Sequence, residues 1–315
     1  MSSPRTSSLF LFSGLSTIDN GYICDHIQHK QLLFMKSIQQ LEKEGYVALA
    51  YPPEIRARVK EVMKLWKQFC SLPDEVKVKF GYSNGSAGVG YEKKGQTGPS
   101  KDKKENFDLA LAGLAWLMNE AAKISDPTAT AFVQAATALI SDIKVMVLGF
   151  ARQAEHEFGL NGFEKEVSER EDAYFIRFIH YFDDVPVGIE TAEAHTDQSG
   201  FTLHLFESAP GLQYLDPQKT WRDMPVSEGE TVIIPSMQLQ LRSEGRLTAT
   251  VHRVISNGET AQKGERGGRL SAVVFVQLAG PVYDKLKGRL QDLHKENLGF
   301  NYGMPHEEFR QFFKE

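Results

Sequence analysis

Cysteine is scarce in this chain. Its 315 residues hold two, Cys24 and Cys70. That excludes a disulfide framework and makes a reducing compartment, the cytoplasm, the expected home. Long apolar runs are missing too, so no membrane span is expected. The patch Leu9-Phe10-Leu11-Phe12 behind Arg5 is too short for a secretory leader, and no cleavage pattern follows it. An excess of one charge is also lacking. The net charge of −5 gives no overall attraction to nucleic acid or acidic membranes. No internal repeat occurs, which argues against solenoids and propellers. What remains is a composition of 41% hydrophobic and 24% charged residues, enough for one large domain or two moderate ones.

Read in order, the first half has helical texture. Residues 1–20 are Ser-rich and weakly patterned. Over residues 31–44, Leu33, Phe34, Ile38 and Leu41 recur at helical spacing, and Gly45 is placed to end the helix. Residues 46–50 predict a short strand. Pro52-Pro53 opens a second helix with Val59, Val62, Met63, Trp66 and Phe69 on one face, stopped at Ser71-Leu72-Pro73. Residues 74–80 predict a further short helix. Residues 81–104 are rich in Gly and Lys and are expected to form a loop without regular structure. Its charges are of mixed sign, which argues against nucleic acid. A long apolar stripe over residues 128–158, through Phe132, Leu139, Ile143 and Phe150, predicts a support helix packed on a sheet. Glu155-His156-Glu157 within it cannot share a helix face and reads as surface.

From Tyr174 the texture changes to short strands punctuated by turns. Strands are expected over residues 174–181, 201–206, 231–234, 249–255 and 270–278, the pattern of a sandwich or barrel such as a jelly roll. Helices return over residues 283–296 and 306–314.

Chemistry concentrates in this second half. His195 and Asp197 stand two apart in Ala194-His195-Thr196-Asp197-Gln198-Ser199-Gly200. In an extended strand that spacing points both to one face, where they can grip a metal from one side. His252, in Thr250-Val251-His252-Arg253-Val254, is the best third ligand. Two histidines and a carboxylate with an open opposite face are the facial triad of non-haem Fe(II). A lone His-x-Asp is more often a hydrogen-bonded surface pair, and the chain has nine histidines. Arg269-Leu270-Ser271 adds weight. Its arginine opens an apolar run, where a guanidinium is costly unless it meets an anion. A guanidinium fork beside a hydroxyl suits a small carboxylate.

The order H-x-D, then H, then R-x-S resembles the Fe(II)/2-oxoglutarate-dependent oxygenases, in the branch of isopenicillin N synthase and the plant-type soluble dioxygenases. The likeness extends to Gly211-Leu212-Gln213 with Trp221 to Pro225, to residues 229–234, and to Gly245-Arg246-Leu247 ahead of His252-Arg253-Val254. It implies an α+β fold: a double-stranded β-helix (jelly-roll) core over 170–282, a mainly helical support region over 1–160, and C-terminal helices over 283–315. It also implies Fe(II) on His195, Asp197 and His252, with no catalytic residue beyond these ligands. The far carboxylate of the cosubstrate 2-oxoglutarate would meet Arg269 and Ser271. Tyr181 is similar in position to a family tyrosine that reaches the same carboxylate; the other reading is a buried strand aromatic. The implied reaction consumes O2 and 2-oxoglutarate, with ascorbate as reductant. It yields succinate and CO2, and it hydroxylates, desaturates or cyclises a small organic substrate. Gly90-Tyr91 and residues 102–105 resemble positions at the active-site mouth and suggest a lid. The chain departs from the family in a longer link over 256–268, in Pro235-Ser236-Met237, and in residues 182–186, which marks a distant branch.

Three rivals stand beside this reading. An isopenicillin N synthase-like oxidase would keep R-x-S and use no 2-oxoglutarate. A zinc hydrolase could use the same ligands, although no general base is evident near His195. A silent binding module would have no reason to keep triad and arginine together. Substrate identity and oligomeric state stay open; residues 101–107, 191–194 and the C-terminal helices are candidate pocket segments.

Overall fold

Leu270, Ala272, Val274 and Val276 are buried in one hydrophobic cluster and Val273 in a second. That alternation requires a strand covered on both faces, and the strand is β11 (Arg269–Val276). In the computed structural model it lies at the middle of a seven-stranded antiparallel sheet. The described residues are 38–278, without 84–85, 87, 95–102, 170–173, 183–184 and 257–266.

The strands in chain order are β1 (Val47–Ala50), β2 (Gly90–Lys93), β3 (Lys104–Ala110), β4 (Tyr174–Tyr181), β5 (Glu190–His195), β6 (Phe201–Glu207), β7 (Leu212–Leu215), β8 (Trp221–Asp223), β9 (Glu230–Pro235), β10 (His252–Ile255) and β11. The large sheet runs β1-β9-β6-β11-β4-β3-β2, and a smaller sheet runs β5-β10-β7-β8. Ile179, Val232, Ile234 and Val273 of the large sheet meet Ala192, Leu212, Tyr214 and Val254 of the small one in a single cluster. The two sheets thus pack face to face, as the expected jelly roll does, and with the helices the class is α+β.

The other face of the large sheet carries the main core. Two helices cover it, α2 (Pro53–Cys70) and α5 (Pro127–Phe158); the short α1 (Gln40–Glu44), α3 (Asp74–Lys77), α4 (Leu114–Ile124), α6 (Phe163–Ser168) and α7 (Met237–Arg242) fill the remainder. Helix α2 begins with proline in its first turn, where a missing N–H costs nothing. It buries Val59, Val62, Met63, Trp66 and Phe69, the face expected from spacing. Trp66 packs on Phe69, Phe107, Phe132 and Phe178 and donates to the Ile179 carbonyl at 3.3 Å. Helix α5 is capped by Asp126, which accepts from Ala129 N–H, and ended by Gly159 at φ 68°. It is long and apolar enough to cross a membrane, yet Phe132, Val133, Ala136, Ile140, Ile143 and Phe150 are buried in the sheet-backed core.

Several expectations need correction. Residues 81–104 are not a continuous loop: β2 pairs with β3 from Gly90↔Asp108 to Lys93↔Glu105. Gly90, at φ 137°, lies so close to the Phe80 carbonyl that a Cβ would stand 2.5 Å from it. Tyr91 and Glu105 do not belong to a lid. They are buried, and Glu105 accepts from Lys77 Nζ at 2.7 Å, Tyr91 Oη at 2.6 Å and His180 Nδ1 at 2.7 Å. Strands β3, β5, β7 and β8 and helices α4, α6 and α7 were not expected. The forecasts for residues 1–37, 283–296 and 306–314 fall outside the described residues.

The Glu105 node generates a prediction. Burial pushes its carboxyl up, but the bonds from His180, Lys77 and Tyr91 outweigh burial and hold it at about 2. A depressed carboxylate stabilises the fold above its unfolded value of 4.5 and loses that contribution as pH falls through 4.5 towards 2. The contribution is on the order of 3 kcal/mol. Urea denaturation should find Glu105→Gln less stable than wild type at pH 7, with the gap closing below about pH 4.5. A gap independent of pH would remove Glu105 as its source.

Candidate metal centre

Strand register brings the two histidines together. In the β5–β10 pair His195 stands directly across from His252, with ring centroids 4.4 Å apart. Each Nδ1 is tied back to the main chain, His195 to the Glu193 carbonyl at 2.7 Å and His252 to the Thr250 carbonyl at 3.1 Å. A carbonyl only accepts, so Nδ1 carries the hydrogen and Nε2 is left with a lone pair. Both Nε2 atoms lie 3.8 Å from Asp197 Oδ1. The three ligand atoms fall within 4.8 Å of one another.

Asp197 reaches this point by a different route from the one its spacing suggests. Strand β5 ends at His195, and Asp197 sits in the following loop. That loop is fastened by backbone bonds from Met237 N–H to Asp197 O (3.0 Å), Gln238 N–H to Ser199 O (3.0 Å) and Gly200 N–H to Val276 O (2.7 Å). Thr202 donates to Asp197 Oδ2 at 2.6 Å, which leaves Oδ1 facing the imidazoles. Ser236, one of the departures from the family pattern, continues the chain of hydroxyls to Thr202 at 3.3 Å and Ser199 at 3.2 Å.

Electrostatics prepare the same groups. Burial pushes the Asp197 carboxyl up, but His252, His195 and the Thr202 bond together hold it below the usual range. Burial takes His252 down to about 4 against the opposing pull of Asp197. A charged carboxylate beside an unprotonated imidazole is the state a metal requires. Two nitrogens and one oxygen on one side of an ion suit Fe(II) with open positions opposite. His195, 38% exposed in its side chain, forms the accessible edge, whereas Asp197 and His252 are 8% and 6% exposed. Among the described residues a second trio, Cys70, Glu105 and His180, is similarly close. There Glu105 already accepts three hydrogen bonds, so that group is accounted for as a structural network.

Arg269 and Ser271 line the same cavity, a space of about 90 Å³ between the sheets, as does Tyr181. Alternation along β11 sends Arg269, Ser271 and Val273 to this side. The Arg269 guanidinium lies over the Tyr181 ring, 5.5 Å from its centroid, and its Nε donates to the Ala209 carbonyl at 3.1 Å. Two residues not anticipated complete the wall. Glu207 is in ionic contact with Arg269 Nη2 and accepts from Ser271 Oγ at 3.0 Å. Beside it His204 is 3% exposed, with neither ring nitrogen hydrogen-bonded among the described residues. The sequence held one signal for them, an imidazole inside the apolar strand Phe201-Thr202-Leu203-His204-Leu205-Phe206.

Comparisons with known proteins bear on this geometry. Residues 172–278 match the model of the 2OG-Fe(II) oxygenase superfamily. A search of curated proteins returned no match. Among solved structures, a full-length Neurospora crassa protein in complex with alpha-KG aligns at a TM-score of 0.62 and 20% identity, covering 80% of this chain and 81% of that one. The same Neurospora crassa protein has also been solved with alpha-KG and thymine. A putative 2OG-Fe(II) oxygenase family protein of Caulobacter crescentus gives 0.63 and 23%, over 81% and 84% of the two chains. The dioxygenase for auxin oxidation in rice gives 0.60 and 21%, over 84% and 90%. Such likenesses carry the fold, and the family match spans every residue of the histidine–aspartate–arginine constellation.

Proposed function

We propose that this chain is a non-haem Fe(II)- and 2-oxoglutarate-dependent dioxygenase in which His195, Asp197 and His252 hold the metal. The observation that carries the reading is the pair of Nδ1-tethered histidines facing one carboxylate in the cavity that also holds Arg269 and Ser271. Iron held by these residues would supply O2 activation, one oxygen atom going to succinate as 2-oxoglutarate loses CO2 and the other serving to oxidise the substrate. The protein binds, orients and keeps water out. Arg269 and Ser271 anchor the far carboxylate of 2-oxoglutarate, and Tyr181 supports the guanidinium with its ring face. Ile179, Ala192, Leu212, Val254, Val273 and Phe275 give the cavity an apolar wall. The substrate is a small organic molecule, in keeping with the thymine complex of the Neurospora crassa protein. The division into a support region over 1–160, whose β1, β2 and β3 join the large sheet, and a core over 170–282 completes the proposal, the segment 283–315 lying outside the described residues. So does a cytoplasmic site of action, where thiols such as Cys70 stay reduced.

Three measurements test it. Asp197→Ala should lose Fe(II) binding and turnover together, and a variant that keeps both would dismiss the triad. Thr202→Val should weaken Fe(II) binding by about 10–100-fold, because an oriented carboxylate is part of the ligand field. Equal affinity would mean that the 2.6 Å bond orients nothing. Anaerobic titration of the Fe(II)-loaded protein with 2-oxoglutarate should raise a weak, saturable visible charge-transfer band, and Arg269→Ala should shift it to much higher concentration with iron retained. Iron binding without any band would instead favour an oxidase that uses no 2-oxoglutarate.

A further inference from the structure

The anchor for the cosubstrate carboxylate already faces a carboxylate from within the chain. Arg269 and Glu207 side chains are both 7% exposed and in ionic contact, and Ser271 donates to the other oxygen of Glu207. A buried guanidinium without a counter-charge is costly, and Glu207 supplies that charge.

Glu207 reaches the cavity through an irregularity. Along β6–β11, Ala272 pairs with Phe206 and Val273 with His204, so Leu205 is an extra residue. Three residues apart in a regular strand, His204 and Glu207 would point to opposite faces. The bulge turns both into the cavity.

The contact is nevertheless poorly formed. Among the described residues neither Arg269 Nη2 nor Glu207 Oε2 has a hydrogen bond, although both are buried. A free carboxylate approaching in the guanidinium plane can make two parallel bonds. Glu207, constrained by its own strand, does not. An alternative partner lies next to it: His204 Nδ1 is 3.6 Å from Glu207 Oε1, and both ring nitrogens of His204 lack a hydrogen bond.

We propose that Glu207 is an internal occupant of the cosubstrate anchor, which holds Arg269 and Ser271 when 2-oxoglutarate is absent and swings its carboxylate to His204 when 2-oxoglutarate binds. This rests on the reading of Arg269 and Ser271 as the anchor. Glu207 and His204 thereby set cosubstrate affinity without touching the metal. Apparent affinity is the intrinsic value reduced by the fraction of molecules with the anchor free.

The test is calorimetric binding of 2-oxoglutarate to the full-length Fe(II) protein under anaerobic conditions, with thermal melts to verify folding. Glu207→Gln keeps the size and the bond from Ser271 but removes the charge, so it should bind about tenfold more tightly or better. His204→Leu removes the alternative partner and should bind correspondingly more weakly. In the double variant the His204→Leu penalty should vanish. Glu207→Asp, drawn back by one methylene, should also bind more tightly and serves if the glutamine variant is unstable. Unchanged or weaker binding in both Glu207 variants would overturn the proposal. If wild type binds and Arg269→Ala abolishes binding while the Glu207 variants are indifferent, the proposal alone falls. If no form binds 2-oxoglutarate although all hold iron, the cosubstrate assignment falls with it.

Discussion

The centre depends on one piece of strand register. His195 closes β5 and His252 opens β10, and antiparallel pairing sets them opposite each other. A slip of one residue would turn one imidazole to the other side of the small sheet, and no side-chain adjustment could then return both rings to Asp197. Register here is held by more than the ladder. Arg253 reaches across to Glu190 at 2.8 Å on β5 and to Gln213 at 3.1 Å on β7, and packs over the Trp221 ring of β8. One side chain next to a ligand therefore joins all four strands of the small sheet.

The large sheet plays the complementary part. Its helix-side face is filled by the aromatic group around Trp66, with Phe107 of β3 and Phe178 of β4 drawn against α2 and α5. Close-packed aromatics resist small displacements. The cavity-side residues of β4, β6 and β11 are therefore presented from a backed wall, and functional groups on such elements are placed more accurately than groups on loops. The exception is Asp197, the loop-borne member of the candidate triad. Its position is recovered by three backbone bonds that tie the loop to α7 and β11 and by the Thr202 hydroxyl.

Sequence reading reached the parts of this arrangement that follow from periodicity and charge. Alternation along β11 put Arg269 and Ser271 on one face, and the cost of burying an arginine marked it as a candidate anion site. His195, Asp197 and His252 were legible as a ligand set, but extended-strand spacing is not what joins them. The strand stops at His195, and the carboxylate is delivered by a turn. Strand β5, Glu190-Thr191-Ala192-Glu193-Ala194-His195, escaped because glutamate and alanine favour strands weakly and its pairing with β10 overrides local preference. Strands β2 and β3 were hidden by the glycines and lysines around them. Glu207 was hidden for a deeper reason. A bulge has no signature in one sequence: counting in twos from His204 would put Glu207 on the opposite face, whereas it lies in the cavity wall.

That displaced glutamate changes the electrostatic logic of the site. The cavity wall brings together two carboxylates, Asp197 and Glu207, and three cations, Lys104, Arg177 and Arg269; Arg177 already pairs with Asp108, and Arg269 is the one in ionic contact with Glu207. In the proposed reading a divalent metal would answer Asp197. A dicarboxylate cosubstrate anchored there would bring a second anion to the guanidinium that Glu207 already faces. Two carboxylates roughly 4 Å apart at a partly buried site repel by about 4 kcal/mol, comparable to what a charge-assisted fork returns. The incoming carboxylate and Glu207 therefore cannot both remain on Arg269 at little cost. The unpaired imidazole of His204 is the nearest group able to accept the one that leaves. The poor hydrogen-bond geometry between Arg269 and Glu207, costly in a static structure, becomes intelligible as the condition for exchange. A well-formed internal fork would stabilise the apo site and exclude the ligand, whereas an imperfect one neutralises the guanidinium and still yields to it.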